Sequence, residues 1–320
     1  MSSRSAGSPL FIYEEIELIA KDQYMSMLQA ADISSALLKI LDKKVGTSLK
    51  GYLEAKRPSI DELIRYVEKI YIKRLANLNS MDNKYVETMI EISNAANAYA
   101  MLSCLSAKGK PCYLFMSPGL YESWLERGEE EAMRLLRANS LYYALLEKVE
   151  KEKAIELKDL AFQLKPVWEK VSVHASFPAR RLMGFFYDFM ILRFSLAYEN
   201  YDIHEVPFSF LSREEVKSVR DGLKSGKLEL MHVLDKYIPM FGATYNDLLA
   251  LSTKATALDA SLLLRANSLS RDLVATPDEI NLRKYVLFLR EAFLLKLVLL
   301  ALASRVDRMW LMNVISRWFD

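Results

Sequence analysis

SIDELIRYVEKIYIKRLANL, residues 59–78, is the stretch whose reading decides the fold. Ile60, Leu63, Ile64, Val67, Ile70, Tyr71, Leu75 and Leu78 recur at i, i+3, i+4 and i+7 spacing, which places one apolar stripe along a helix. Ser59 and Glu62 stand at N-cap and N3, the pair whose side chains satisfy two otherwise orphaned amide groups. Nothing interrupts the stripe for five turns, so a long, capped, amphipathic helix is the expected unit of construction.

The rest of the chain extends that reading. The 320 residues include only ten Gly and nine Pro, about half the 38 that average usage of about 7% Gly and 5% Pro would supply. A sandwich or a propeller needs those missing turn residues, and a Gly-rich phosphate loop is disfavoured for the same reason. An apolar fraction of 52% excludes a disordered chain. The sequence is therefore all-α. Ser212-Arg213-Glu214-Glu215 repeats the capping signal, and Thr276-Pro277-Asp278-Glu279 adds proline at the first helical position. The periodicity predicts further helices over 12–29, 32–44, 82–107, 119–137, 139–170 (continuous or broken), 178–199, 212–224, 227–237, 243–266 and 305–318. Val171, Val173, Ala175 and Phe177 alternate briefly before Pro178 and read as an extended connector. Breaks are expected at Lys108–Pro111, Ser117–Gly119 and Tyr201–Ser209, and no segment reads as a linker between independent modules.

The most apolar stretch, KYVLFLREAFLLKLVLLALASR (284–305), carries Arg290, Glu291 and Lys296 in its middle. A spanning helix wants about 20 mainly apolar residues, and central charges are costly there. The stretch reads as a helix buried at the centre of a soluble protein. The start, Met1 to Pro9, is polar and is followed by no long apolar run, so no secretory signal is read.

Chemistry is sparse. The formal charge of +2 supplies no field drawing the chain to nucleic acid or anionic lipid. Cys104 and Cys112 lack further ligands for a zinc site; they could bond to each other, but a reduced, buried pair is the expectation. His174, His204 and His232 have no ligand spacing and read as structural or surface residues. Gly222-Leu223-Lys224-Ser225-Gly226-Lys227 is superficially like a phosphate loop but lacks a spacer residue and the Ser/Thr after the lysine. Glu129–Glu131 and the mixed run Glu147–Lys158 read as solvated helix faces, the latter with i, i+4 pairs. Arg180-Arg181 stands at a helix start, where cations oppose the dipole, and is either a surface pair or a partner contact. The 17 Tyr and 14 Phe fall at helical spacing, so core packing is preferred to base stacking. No catalytic, cofactor-binding or metal-binding residue is nominated.

Internal repetition is the informative feature. Three leucine-rich openings (Asp32–Leu41, Glu131–Leu136, Lys227–Lys236) each precede a longer helix, around Glu91–Asn97, Tyr187–Ile191 and Glu279–Arg283. Two units restart after the long helix, at Met116–Leu125 and Val206–Val216. The period is roughly 90–100 residues, which divides a single all-α body, residues 1–320, into units 20–125, 126–216 and 217–320.

With this pattern the chain resembles the C-type subunits of the archaeal and bacterial A/V-type ATP synthases, a family related to the d-type subunits of the eukaryotic vacuolar proton pump. Tyr24–Leu38, with the Gly46/Leu49 segment and the Ile60–Leu78 helix, looks like the family's opening unit. Glu91–Asn97 with Lys108-Gly109-Lys110, the loop Ser117-Pro118-Gly119-Leu120, and Glu279-Ile280-Asn281-Leu282-Arg283 are similar to its later elements, so the likeness covers about residues 20–305. Two departures stand out: the usual N-terminal Tyr-x-x-x-Asn-Ala-Arg helix is not evident, and Ile191 occupies a position where Asn is expected. The resemblance implies a funnel of three similar helical units about a pseudo-threefold axis. Its role would be a non-catalytic central-rotor part, a stiff socket coupling the central stalk (subunits of D and F type) to the membrane proteolipid ring during proton or sodium transport. It would need no cofactor, small-molecule substrate or nucleic acid, and would sit in the cytoplasm, peripheral to the membrane through the ring. The alternatives are an unrelated all-helical scaffold that buries a partner helix, and a helical enzyme whose site assembles from distant residues.

Overall fold

The computed structural model describes residues 17–80, 83–106, 112–152, 155–198, 210–225, 234–235, 254–304 and 308–319. Among these residues every regular element is helical. The chain opens with α1 (Lys21–Leu28), α2 (Ile33–Leu37), a 3₁₀ turn (Leu38–Ile40) and α3 (Lys44–Lys56). Then α4 (Ile60–Asn79) leads to α5 (Lys84–Ser106), followed by α6 (Leu120–Arg127), α7 (Glu129–Ala138) and α8 (Ser140–Glu152). Next, α9 (Leu157–Ser172) leads to α10 (Phe177–Tyr198) and then α11 (Arg213–Ser225). Finally α12 (Lys254–Ser270) leads to α13 (Pro277–Ser304) and α14 (Arg308–Ser316).

Three times, a shorter helix turns directly into a longer one: α4 into α5, α9 into α10, and α12 into α13. The three long helices are apolar on nearly all sides and form the centre, with α5 touching both α10 and α13. Each shorter helix bridges two long ones: α9 lies on α5 and α10, α12 on α10 and α13, and α4 on α13 and α5. The short helix of one pair thus packs on the long helix of another. That is why α4 needs the broad stripe seen in its sequence; Leu63, Val67, Tyr71, Leu75 and Leu78 are all buried. Buried apolar side chains from Leu18 to Trp318 form one continuous core.

The stretch 284–305 falls largely within α13, whose residues from Glu279 to Leu302 are mostly buried against α4, α5 and α12. No described helix is long and apolar enough to cross a membrane.

Local signals position the helix ends. Glu62 accepts the Ser59 N–H at 2.8 Å while the Glu62 N–H donates to Ser59 Oγ at 3.3 Å. Ser212 and Glu215 repeat the exchange at 2.6 and 3.3 Å. At α13 the pattern is offset by one: Glu279 accepts from Ala275 N at 2.8 Å, and Thr276 Oγ1 accepts from Glu279 N.

Several expectations are corrected. The helix over 119–137 is broken at Gly128, whose φ of +87° is open to glycine and strained for other residues. The run 139–170 is also two helices, α8 and α9. Residues 171–177 are not extended: α9 continues to Ser172, and the amides of His174 and Ala175 both turn back onto the Val171 carbonyl. Helix α3 lies beyond the expected 32–44 element. The expected N-terminal helix over 12–29 is interrupted at residues 18–20, and α1 begins at Lys21. Residues 12–16, the breaks at 108–111 and 201–209, the helix 227–237 apart from residues 234–235, the stretch 243–253, and His204 and His232 lie outside the described residues. His174 is exposed in the α9–α10 turn. Gly222–Ser225 form the last turn of α11 rather than a phosphate loop. Arg180 donates to the Ala175 carbonyl at 3.2 Å and Arg181 stacks over Phe210, so both engage their own neighbourhood. On the charged faces, Glu147 pairs with Lys151 and Glu131 with Arg127 and Arg134.

Candidate functional site

Each long helix carries a buried polar side chain near its middle that holds a segment of chain laid across it. On α5, Asn97 accepts the Phe115 N–H at 2.6 Å and donates to the Phe115 carbonyl at 2.9 Å. One turn earlier, Asn94 Oδ1 accepts the Leu120 N–H at 3.0 Å. Gly119 permits this approach: its φ is +97°, and a Cβ there would lie 2.7 Å from Asn94 Nδ2. On α10, Asp188 accepts the amides of Phe210 and Leu211 at 2.7 and 2.8 Å. Ile191, where the resemblance expected Asn, is fully buried. The polar role sits one turn earlier, at Asp188. On α13, Glu291 accepts the Ile19 N–H at 2.9 Å.

The Asn97 clamp draws segment 112–117 back along α5 and sets one wall of a cavity of about 310 Å³. Its other walls come from α4, α6, α12 and α13. Apolar and aromatic groups dominate, among them Phe115, Trp124, Leu263 and Phe293. The charged groups are matched. Lys296 of α13 bonds Glu68 of α4 at 2.7 Å, and both are largely withdrawn from water. Arg193, with no exposed surface, forks onto Asp259 (Nε–Oδ1 2.5 Å, Nη2–Oδ2 3.2 Å). The same guanidinium donates to the carbonyls of Tyr113 at 2.6 Å and Leu114 at 3.2 Å, tying α10, α12 and the returning segment together. Tyr121 lines the cavity and shares a hydrogen bond with Glu68; burial, then the nearby Glu68 charge, push its hydroxyl well above the usual tyrosine range.

Cys104 and Cys112 are joined in a disulfide, a correction to the expected reduced pair. The segment that Asn97 and Arg193 hold against α5 places Cys112 opposite the last turn of that helix. The Cα atoms are 5.5 Å apart, within disulfide reach. Cys112 borders the cavity and is exposed.

Beside the cavity, on another face of α13, Glu291 is buried with Tyr71 donating its hydroxyl to Oε1 and Arg74 at 3.6 Å. Burial raises its carboxyl above the ordinary 4.5; the Tyr71 hydroxyl, Arg74 and the Ile19 amide oppose that shift.

The cavity lining contains no His, Ser or Thr among the described residues. Among the same residues no three His, Cys, Asp or Glu side chains gather to hold a metal ion. The polar groups are engaged with one another, an arrangement that fixes shape. Sequence reasoning nominated none of these residues. Two signals were present: Glu68 falls beside Val67 on the buried side of α4, and Arg290, Glu291 and Lys296 interrupt the most apolar stretch. A charge embedded in an apolar face needs a buried partner, but its identity is a tertiary fact.

The chain matches no protein-family model, no curated protein and no solved structure.

Proposed function

We propose that this chain is a non-catalytic coupling component of a rotary A/V-type ATPase, a rigid socket between the central stalk and the membrane proteolipid ring. The observation that carries the reading is the recurrence of one packing rule: each short helix bridges the long helix of its own pair and that of another, for α4, α9 and α12 alike. That recurrence favours three similar units about a pseudo-threefold axis, as the sequence resemblance implies. The clamps at Asn97, Asp188 and Glu291 support it, because each holds a crossing segment at the middle of a long helix.

A part that passes torque must not yield. Long helices locked by buried, hydrogen-bonded charges suit that task better than hinged loops, because each lock loses several kcal/mol if a single partner leaves. Contact with the ring would place the chain at the cytoplasmic face of the membrane without entering it. Exposed Val173, Phe177 and Val274 lie at the turns leading into α10 and α13, and offer apolar contacts at the end of the molecule where those long helices begin.

Affinity isolation of the tagged chain from native membranes tests the reading. Recovery of stalk subunits and proteolipid ring with the chain is expected; recovery of neither refutes the assignment.

A further inference from the structure

Helix α5 presents a second polar face outside the central cavity. Glu91 and Asn94 stand one turn apart on it and line an open groove of about 700 Å³, together with Tyr142 of α8. Leu120 of α6 and Leu135 and Ala138 of α7 supply the apolar part of the lining. The volume falls in the range of small-ligand pockets, roughly 300–1,000 Å³.

Each of the three polar side chains has hydrogen-bonding capacity that the fold leaves unused. Tyr142 is only 4% exposed, yet its hydroxyl bonds to no described residue. The hydroxyl oxygen is not sealed within the protein either, so it opens onto the groove. Asn94 Oδ1 accepts the Leu120 N–H at 3.0 Å, which fixes the amide and leaves Nδ2 without an acceptor among the described residues. Gly119 also lines the groove and has no Cβ to cover that nitrogen. The half-buried Glu91 carboxylate accepts no hydrogen bond and makes no ion pair among the described residues.

Glu91 is the only charged group in the groove lining among these residues. Burial, then the Glu87 charge, raise its carboxyl above the ordinary range; Lys170, which shares a neighbouring cavity with Glu87 and Glu91, opposes them. A cation in the groove offsets that penalty. Withdrawn polar groups left unbonded cost stability, and three of them on one groove match the needs of a ligand. A carboxylate and a hydroxyl oxygen accept from an ammonium group, Asn94 Nδ2 donates to a carbonyl, and the leucines cover an aliphatic chain. Side chains one turn apart have Cβ atoms about 5–6 Å from each other, which suits an ammonium and a carbonyl separated by a single carbon.

We propose that the groove between α5 and α8 binds an aliphatic α-amino amide, its ammonium held by Glu91 and Tyr142 and its carbonyl by Asn94. A free amino-acid amide and the N-terminus of a peptide carry the same chemistry.

Calorimetry and thermal melting of the full chain with leucinamide, near neutral pH and at ionic strength held constant with sodium chloride, test the site. A saturable heat of binding and a rise in Tm above the chloride control are expected, since a ligand that binds only the folded state stabilises it. N-acetyl-leucinamide, which lacks the charge, should bind at least tenfold more weakly. Glu91→Gln should weaken leucinamide binding by a similar factor. Tyr142→Phe should weaken it severalfold without lowering Tm in the absence of ligand, because the hydroxyl makes no bond in the folded chain; this variant carries the test if Glu91→Gln melts early. Glu54→Gln, on the exposed side of α3, should leave binding unchanged. The peptide Leu-Ala-Ala separates the two sources: binding at least tenfold tighter than leucinamide assigns the amide to a peptide N-terminus, and equal or weaker binding assigns it to a free compound. No saturable binding of leucinamide or of the peptide, or binding indifferent to both Glu91→Gln and Tyr142→Phe, overturns the proposal.

Discussion

The Glu291 carboxylate accepts the Ile19 backbone N–H at 2.9 Å, across 272 positions of sequence. The bond fastens the first described residues of the chain to the middle of its longest described helix. Tyr24 adds a contact from α1, its hydroxyl 3.4 Å from the Glu291 carbonyl. The carboxylate is thus a structural bolt between the start of the described chain and α13, and its protonation has consequences for stability.

Burial raises the Glu291 carboxyl above 4.5, so the folded state holds its proton more tightly than the unfolded state. The stability this group contributes is fully present below the unfolded value of 4.5 and declines as pH rises through the higher folded value. Glu291→Gln keeps an acceptor for Ile19 and does not titrate. Thermal melts from about pH 4 to 8 should show the wild type losing Tm relative to Glu291→Gln as pH increases. A difference that is constant, or that grows in the other direction, contradicts the assignment.

Asp188 Oδ2 accepts two backbone N–H groups, those of Phe210 and Leu211. Asp188→Ala should cost about 3 kcal/mol in urea unfolding, the range for hydrogen bonds to a buried charge. Asp188→Asn keeps one accepting oxygen and should cost less than half as much. Equal costs for the two would mean that the side chain only fills space.

Lys296 and Glu68 neutralise each other at the cavity wall. Lys296→Met strands a buried carboxylate and should destabilise the fold by on the order of 3 kcal/mol. Glu68→Gln in the same background keeps a partner for Tyr121 and should restore most of that loss. A double variant no better than Lys296→Met, measured by the same unfolding curves, removes the pair from the account.

The Cys104–Cys112 bridge closes a short loop, so its effect on stability is modest: about 2.6 kcal/mol from chain entropy for a closed loop of that size. Thiol titration of the denatured, unreduced protein should find no free thiol, and two after reduction. Cys104→Ser/Cys112→Ser should melt a few degrees lower. Two thiols without reductant would restore the reduced pair read from the sequence.

What could be read in the sequence was local. The stripe of residues 60–78, the Ser59/Glu62 and Ser212/Glu215 caps, and the all-helical composition each depend on neighbours within a few positions. Helix α3 was missed because it is polar, contains Gly46 and Gly51, and has no side-chain cap; it is held by packing of Val45 and Leu49. The extended reading of 171–177 failed because four alternating residues also fit the end of α9 and a tight turn. The cavity was invisible for a different reason. Arg193 meets Asp259 across 66 positions and Lys296 meets Glu68 across 228, separations no periodicity encodes. The signal available was negative: a charge where the stripe demanded an apolar residue.

The central claim is mechanical coupling, and depletion of this chain from native membranes tests it most directly, with ATP hydrolysis and ATP-driven ion transport measured on the same preparation. The account predicts that hydrolysis by the soluble head persists while ion transport is lost, and that adding back the purified chain restores transport. Ion transport undiminished by complete depletion would contradict it.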